Sequence, residues 1–122
     1  MAQLVPPHNS QQVKPLLLPE AHRSEERRRA AKLKKIPLDS RTVSDLFMLA
    51  MGAYTPLDGF MGYDDWRGSC LDMKLTNGVF WPIPITLSAD SQLADSIRAE
   101  EEVALVDGDS GEILALMMVR EK

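Results

Sequence analysis

The clearest hydrophobic pattern in this chain lies in residues 41–51. Apolar positions recur there at the spacing i, i+3, i+4, i+7 and i+8, which is typical of one face of an α-helix. They are Val43, Leu46, Phe47, Ala50 and Met51. Ser40 is a suitable N-cap, and Gly52 stands where helices commonly end in a left-handed residue. We therefore predict an amphipathic helix whose apolar face points inward.

A corner rich in glycine, proline and apolar side chains follows this helix over residues 52–62. Glycine allows positive φ and proline fixes φ, so the segment is typical of a rigid turn. Tyr54, Leu57, Phe60 and Met61 are expected to pack inside it. We predict a structural corner that holds the preceding helix against the rest of the fold. A ligand-facing loop is the alternative.

The next residues predict a second short helix and then a turn. The helix begins at Asp64 and Asp65, which favour its N-terminus and do not by themselves indicate a carboxylate site. Its inward stripe is expected to be Trp66, Cys70 and Met73 at i, i+4 and i+7. We interpret Cys70 as a small buried apolar residue. Asn77-Gly78 indicates a tight turn, interpreted as part of a hairpin.

Alternating apolar residues predict a strand over residues 79–87. Trp81, Ile83, Ile85 and Leu87 would share one face. Pro82 and Pro84 lack N–H donors on the same side, so we expect an edge or barrel-rim strand.

The last third of the chain predicts a helical turn and a hairpin. The polar segment 88–102 carries Ala94 and Ile97 at a spacing that suggests about one helical turn. Strands are expected at 103–106 and 113–119, the second being the longest apolar run. Their connection, 107–112, looks like a calcium loop, but its glycine falls one place early, so we predict a hairpin turn. The predicted fold is a small, β-barrel-like α+β domain.

The N-terminal 35 residues differ from the remainder in charge and in proline content. We expect residues 1–19 to be an extended leader whose apolar spots, Leu4-Val5 and Leu16–Leu18, dock onto the body. Residues 20–35 predict a basic helix. Residues 1–35 hold eight Lys/Arg and three Glu (8 − 3 = +5), and the other residues hold six Lys/Arg and fifteen Asp/Glu (6 − 15 = −9). A solvated surface helix is the simpler interpretation; RNA or anion binding is the alternative, although no aromatic residues interleave the charges.

Composition narrows the class of protein. A length of 122 residues, with 44% hydrophobic and 26% charged residues, is typical of one soluble domain. No apolar run is long enough for a membrane span, and the single cysteine with no export signal favours the cytoplasm. His8 and His22 have no neighbours at metal-ligand spacing, so no metal site is expected.

Three collinear segments resemble the N-terminal signature of ATP sulfurylase, also called sulfate adenylyltransferase. They are residues 45–62 (DLFMLAMGAYTPLDGFMG), 73–78 (MKLTNG) and 81–87 (WPIPITL). The early Pro6-Pro7-His8 is similar to the Pro-His-Gly-Gly of that family, with Asn9-Ser10 in place of the glycines. The resemblance covers nearly the whole chain. The residues that carry it, termed signature residues below, are Gly52, Tyr54, Pro56, Leu57, Gly59, Phe60, Met61, Asn77, Gly78, Trp81, Pro82 and Pro84.

The resemblance implies a PUA-like pseudo-barrel, residues 36–122, preceded by the leader and basic helix, residues 1–35. It implies that the barrel is incomplete at residue 122 and is followed by a catalytic domain that uses ATP with magnesium and sulfate. The family's Gln-x-Arg-Asn-Pro and Gly-Arg-Asp-His motifs are not in this sequence. We therefore predict no catalytic, cofactor-binding or metal-binding residue in this chain. The expected function is a scaffold and interface for a catalytic domain in a homo-oligomer. The alternatives are a stand-alone RNA-binding module and an interaction subunit for a separate catalytic chain.

Overall fold

The computed structural model describes residues 5–122 and contains four helices and three strands within that range. The elements in chain order are α1 (Glu20–Ala30), β1 (Lys35–Leu38), α2 (Ser40–Ala50), α3 (Tyr63–Asp72), α4 (Ser91–Ser96), β2 (Glu101–Asp107) and β3 (Ile113–Val119). The strands form one mixed sheet in the order β1-β2-β3.

The centre of the sheet is β2, whose residues 103–106 are all buried. β1 runs parallel to β2, and β3 runs antiparallel to it, with an irregularity between Leu105 and Val106. The predicted final hairpin is thus confirmed. The sheet is open within residues 5–122, as expected for the partial pseudo-barrel that the sequence predicts.

The basic helix is shorter than predicted. It ends at Ala30 instead of residue 35, and Lys35 already belongs to β1. The Ala104 N–H donates to the Lys34 carbonyl at 2.9 Å, so pairing with β2 draws this backbone into the sheet. The extended segment expected at Ile36-Pro37-Leu38 is confirmed as part of β1.

The predicted amphipathic helix is α2, but its buried stripe and its cap differ from the prediction. Asp39 is the N-cap, not Ser40, because its side chain accepts the Thr42 N–H at 2.7 Å. Phe47 and Met51 are exposed. The inward stripe instead runs through positions three apart: Val43 and Leu46 face the sheet, and Leu49 is buried beside the corner. This stripe lies between two groups of core residues, so α2 contacts both.

The inward face of α3 is also different from the predicted one. Trp66, Cys70 and Met73 are exposed, and the buried residue is Ser69. Its hydroxyl donates to the Trp81 carbonyl at 2.8 Å. Gly68 lies against the Lys74 carbonyl, where a Cβ would collide. The helix approaches the following loop on its smallest side chains, which turns the larger apolar ones outward.

The predicted strand over residues 79–87 does not form. Only one isolated bridge, between Lys74 and Phe80, is present, and Ile83 is exposed while Ile85 is buried. Pro82 and Pro84 cannot donate the N–H groups that a ladder requires. The turn at Asn77-Gly78 is confirmed: Gly78 has φ +85° and donates to the Leu75 carbonyl at 2.9 Å. It closes a single bridge rather than a hairpin of two strands.

Two groups of side chains form the core. The sheet cluster has six buried members, and the corner cluster has four. The sheet cluster is Ile36, Leu38, Ile97, Val103, Leu105 and Val119. The corner cluster is Leu49, Leu57, Leu75 and Ile85. Phe60 packs against both clusters and so joins them.

Candidate functional site

The corner predicted from the sequence is the place where the N-terminal leader crosses the body. Gly52 has φ +80° and follows the C-cap of α2, as predicted. A Cβ built on Gly52 would lie 2.8 Å from a Val13 side-chain carbon and 2.9 Å from the Pro15 nitrogen. Glycine is therefore required at this position both by its φ and by the leader that passes over it.

The leader docks through its backbone more than through its apolar side chains. The Leu16 N–H donates to the Ala50 carbonyl at 2.9 Å, and the Lys14 N–H donates to Thr55 Oγ1 at 2.9 Å. Leu16–Leu18 remain exposed, as does Val5, which corrects the expectation that these spots are buried. Leu4 lies outside the described residues. Two hydrogen bonds therefore hold the leader where hydrophobic contact was predicted.

Aromatic side chains close the corner on the side of Trp81. The Tyr54 ring meets the Trp81 ring edge to face, with centroids 5.8 Å apart, and the His8 ring lies 6.2 Å from Trp81. His8 Nε2 donates to the Phe80 carbonyl at 2.6 Å. The Tyr54 hydroxyl donates to Asp45 Oδ1 at 2.9 Å. Burial, reinforced by the Asp45 carboxylate, raises the pKa of Tyr54, so this hydroxyl remains a hydrogen-bond donor.

The signature residues gather around the corner cluster, but their roles there are in packing and turn formation. Leu57 is buried, and Tyr54, Phe60, Met61 and Trp81 pack against the cluster. The remaining members are Gly52, Pro56, Gly59, Asn77, Gly78, Pro82 and Pro84, which lie in the connecting segments. Asn77 Oδ1 accepts the Val79 N–H at 3.0 Å and fixes the turn. The Thr55–Pro56 peptide bond is cis. Their assignment as a structural signature remains a prediction.

Two cations of α1 and its flank, Arg29 and Lys34, are engaged by carboxylates of the same chain. Arg29 bonds both Glu26 and Glu102 on β2. Lys34 Nζ lies 3.0 Å from Glu101. Arg29 lowers the pKa of Glu102 by donating hydrogen bonds to it. The Arg98 N–H, followed by Lys34, lowers the pKa of Glu101. Arg29 and Lys34 therefore tie α1 and the residues after it to β2.

A wide apolar cleft lies beside the sheet and was not anticipated. Its volume is about 1210 Å³, and its walls come from β3, α1, Leu16–Leu18 and the corner residues Phe60 and Met61. The uninterrupted apolar run of β3 was the signal that could have indicated it, because a strand apolar on both faces needs cover on both. The cleft makes β3 the incompletely covered part of the core.

No group of three His, Cys, Asp or Glu side chains within residues 5–122 is placed to hold a metal ion. In the same range, no helix is both long enough and apolar enough to cross a membrane.

A family model described as PUA-like domain matches residues 5–122. The chain belongs to the PUA-like domain family. This PUA-like domain is 56% identical over 123 residues to a sulfate adenylyltransferase of Syntrophobacter fumaroxidans, covering 100% of this chain and 30% of that protein. It is 49% identical over 122 residues to a sulfate adenylyltransferase of Thiobacillus denitrificans, again covering 30% of the relative.

A solved structure has a closely similar fold over most of this chain. It is described as a hexameric APS kinase from Thiobacillus denitrificans and matches 94% of this chain and 23% of its own, with a TM-score of 0.81 and 37% identity. Compared with the two sulfate adenylyltransferases, the PUA-like domain spans about 30% of their length. The predicted PUA-like fold and the resemblance to sulfate adenylyltransferase are both confirmed.

Proposed function

We propose that this PUA-like domain is the structural N-terminal part of a sulfate adenylyltransferase. Such an enzyme joins sulfate to the α-phosphate of ATP, giving adenylyl sulfate and pyrophosphate, or runs the reaction in reverse. The observation that carries the proposal is the match of the whole chain, at 56% identity, to 30% of one such enzyme. The domain would serve as scaffold and interface, and the remaining length would bind ATP, magnesium and sulfate.

The contacts around the charged residues support a role without catalysis. Transfer at a phosphate needs cations and donors that are free to face the phosphate oxygens. Arg29, bonded to Glu26 and Glu102, and Lys34, 3.0 Å from Glu101, are already engaged within the domain. Tyr54 and Asp45 bond each other beside the corner. These pairings stabilise the domain and leave the phosphate chemistry to residues elsewhere in the enzyme.

The same pairings speak against the RNA-binding alternative. A surface that binds a nucleic-acid backbone gains affinity by exchanging counterions for phosphates. Arg29 and Lys34, already compensated by Glu26, Glu101 and Glu102, would release few counterions. The proposed partners are the catalytic part of the same enzyme and further copies of it in the cytoplasm. The hexameric state named for the related APS kinase supports a homo-oligomer.

A replacement experiment tests the proposed function. The chimera joins residues 1–122 to the part of the Syntrophobacter fumaroxidans enzyme that this chain does not match. We expect the chimera to catalyse sulfate-dependent ATP–pyrophosphate exchange and the isolated 122-residue chain to show none. Exchange by the isolated chain, or a chimera that folds without activity while the natural enzyme is active, would contradict the proposal. RNA binding that weakens steeply with salt would favour the alternative.

A further inference from the structure

The helix α3 presents an apolar stripe to the outside of the domain. Its members are spaced three, four and three residues apart, which places them on one face of the helix. They are Tyr63, Trp66, Cys70 and Met73, the last being the C-cap of α3. Tyr63, Trp66 and Met73 are 56%, 40% and 53% exposed, and Cys70 is exposed as well. This spacing is that of the a and d positions of a heptad, along which one helix packs against another.

The α3 stripe is widened by aromatic contacts at both of its ends. The Tyr63 and Trp66 rings lie 5.6 Å apart, measured between centroids. At the other end, Phe80 is the bridge partner of Lys74, so its exposed ring lies beside the residue that follows the stripe. Three half-exposed aromatic side chains offer on the order of 300 Å² of apolar area. A patch of this size is often a binding site.

Two cations line one side of the α3 stripe, and neither has a carboxylate partner. Arg67 and Lys74 each directly follow a d position, which makes them e positions of the heptad. Both are exposed, and neither side chain forms an ion pair within residues 5–122. The helical period places Asp64 and Asp72 away from the stripe. A partner that matches this side of the stripe would therefore carry acidic residues.

We propose that the α3 stripe, with Arg67 and Lys74 beside it, docks an amphipathic helix with acidic flanks that belongs to a partner protein. Apolar residues of that helix would pack on Trp66 and its neighbours, and its carboxylates would meet the two cations. The inference uses no property of sulfate adenylyltransferases and goes beyond the proposed function.

A second copy of this chain fits the α3 stripe poorly. Antiparallel pairing of two α3 helices would bring Arg67 and Lys74 against the same cations of the other copy, and like charges repel. Parallel pairing would leave both cations without a carboxylate. The apolar area is also well below the roughly 800 Å² that each partner of a standard interface buries, so it suits a single helix better than a second domain.

Two designed peptides test the docking surface on the 122-residue chain. Each is about three heptads long with leucine at a and d, and one has glutamate while the other has lysine at e and g. The like charges keep each peptide from pairing with itself. We expect fluorescence anisotropy to show saturable binding of the acidic peptide, at least about tenfold tighter than that of the basic one. Amide shifts in a titration followed by NMR should be confined to residues 62–80.

Matched truncations on the same helix test the apolar part of the surface. Trp66→Ala should weaken binding of the acidic peptide at least about tenfold, because central aromatic anchors carry much of the energy of such contacts. Leu71→Ala is the control. Leu71 is 66% exposed but lies outside the stripe, so its truncation should change the affinity less than about twofold. Circular dichroism verifies that both variants fold, and equal effects of the two would overturn the inference.

A charge reversal tests the acidic character of the partner. Arg67→Glu combined with Lys74→Glu should reverse the preference, so that the basic peptide binds more tightly than the acidic one. Arg28→Glu combined with Lys32→Glu changes the net charge by the same amount at α1 and should leave the preference as it was. A preference that the first pair of substitutions leaves unchanged would overturn the match of charge.

Three further results would overturn the inference. They are no binding of the acidic peptide at about 1 mM, a dimer in analytical ultracentrifugation that Trp66→Ala dissociates, and binding to phosphatidylserine vesicles but to neither peptide. The second result would identify another copy of the chain as the occupant, and the third would identify a membrane. None of them affects the exchange assay of the chimera, so this inference and the proposed function can fail separately.

Discussion

The corner cluster and the sheet cluster are built in opposite ways. The corner cluster takes three of its four members, Leu57, Leu75 and Ile85, from irregular segments, and Leu49 comes from the last turn of α2. The leader crosses this corner and holds to it by two hydrogen bonds that its backbone N–H groups donate. The sheet cluster takes most of its members from regular strands, and its β3 side borders the cleft. The corner is thus enclosed by local turns, whereas the sheet is open on its β3 side within residues 5–122.

This difference matches the distribution of the family signature along the chain. The residues that resemble sulfate adenylyltransferase concentrate around the enclosed corner, where Gly52 lies under the leader and aromatic side chains such as Tyr54 and Trp81 pack against the cluster. The open strand β3 is specified only by its apolar character. Phe60 and α2 contact both clusters, so the two are expected to unfold together.

The largest expected effect comes from matched leucine truncations in the two strands. Leu105→Ala, at a 1% exposed site of β2, should lower the free energy of unfolding by about 2–5 kcal/mol. Leu116→Ala, on half-buried β3, should cost less than half as much in the isolated chain. Leu17→Ala, on the exposed leader, is the control and should change stability by less than about 0.5 kcal/mol. Urea denaturation measures all three, and equal losses at Leu105 and Leu116 would refute the open-edge description.

Two glycines with the same backbone conformation isolate the role of the leader. Gly52 has φ +80° and a crowded Cβ direction, whereas Gly78 has φ +85° and open space around it. Gly78→Ala should cost about 1–2 kcal/mol for the left-handed backbone alone. Gly52→Ala should cost roughly 2–4 kcal/mol, because the leader's hydrogen bonds are also displaced. Gly52→Val should cost at least as much as Gly52→Ala. Equal effects of the two alanine variants in thermal melting would show that the leader does not press on Gly52.

Phe60 tests the connection between the clusters. Phe60→Ala removes a half-buried ring and should lower stability by about 2 kcal/mol. Unfolding is followed by Trp81 fluorescence in a Trp66→Phe background, which reports the corner, and by circular dichroism, which reports the helices and strands. The two transitions should coincide in the parent and separate in Phe60→Ala. Coincident transitions in the variant would mean that α2 alone joins the clusters.

The smallest expected effect concerns the ion pairs between α1 and β2. The folded-state pKa values of Glu101 and Glu102 lie below their ordinary value, so the unfolded chain binds protons more readily. Their contribution is therefore present at neutral pH and is lost as the pH falls below about 4.3. Glu102→Gln should lower the melting temperature at pH 7, and this difference should shrink toward pH 3.

Glu112→Gln is the control for that titration. Glu112 is 3.8 Å from Arg27, and both side chains are mostly exposed, so the pair should contribute almost nothing at any pH. A melting difference for Glu102→Gln that stays constant between pH 7 and pH 3 would contradict the ion-pair explanation.

The sequence predicted best the elements that depend on local residues. Gly52, the turn at Asn77-Gly78, α2 and the final hairpin follow from backbone preference and periodicity alone. The errors occurred where a distant segment decided the outcome. Ser69 faces inward because the Trp81 carbonyl accepts its hydroxyl, and Lys35 leaves the helix because β2 pairs there. The apolar periodicity of α3 predicts the wrong inward face, because the loop that packs against the small residues of this helix is a tertiary contact that the local pattern does not contain.

In the candidate site, too, local features could be predicted and contacts between distant segments could not. The packing of Tyr54, Leu57, Phe60 and Met61 could be predicted, because apolar side chains in a turn made rigid by glycine and proline are expected to lie inside it. The pairing of Arg29 with Glu102 joins residues 73 positions apart, and no pattern along the chain indicates it. The open edge of β3 was visible only as an apolar run, because strand order is a tertiary property.

The contrast between the enclosed corner and the open sheet is tested most directly by one amide-exchange map of the isolated chain. We expect the N–H groups that close the corner, those of Ala53, Leu57 and Leu75, to be as protected as those in the centre of β2. They donate to backbone carbonyls at 2.9, 2.8 and 2.9 Å. Leu116 and Met118 should exchange at rates close to those of unstructured peptides. Fast exchange across the corner, or slow exchange at Leu116 and Met118 in a monomer, would contradict the account.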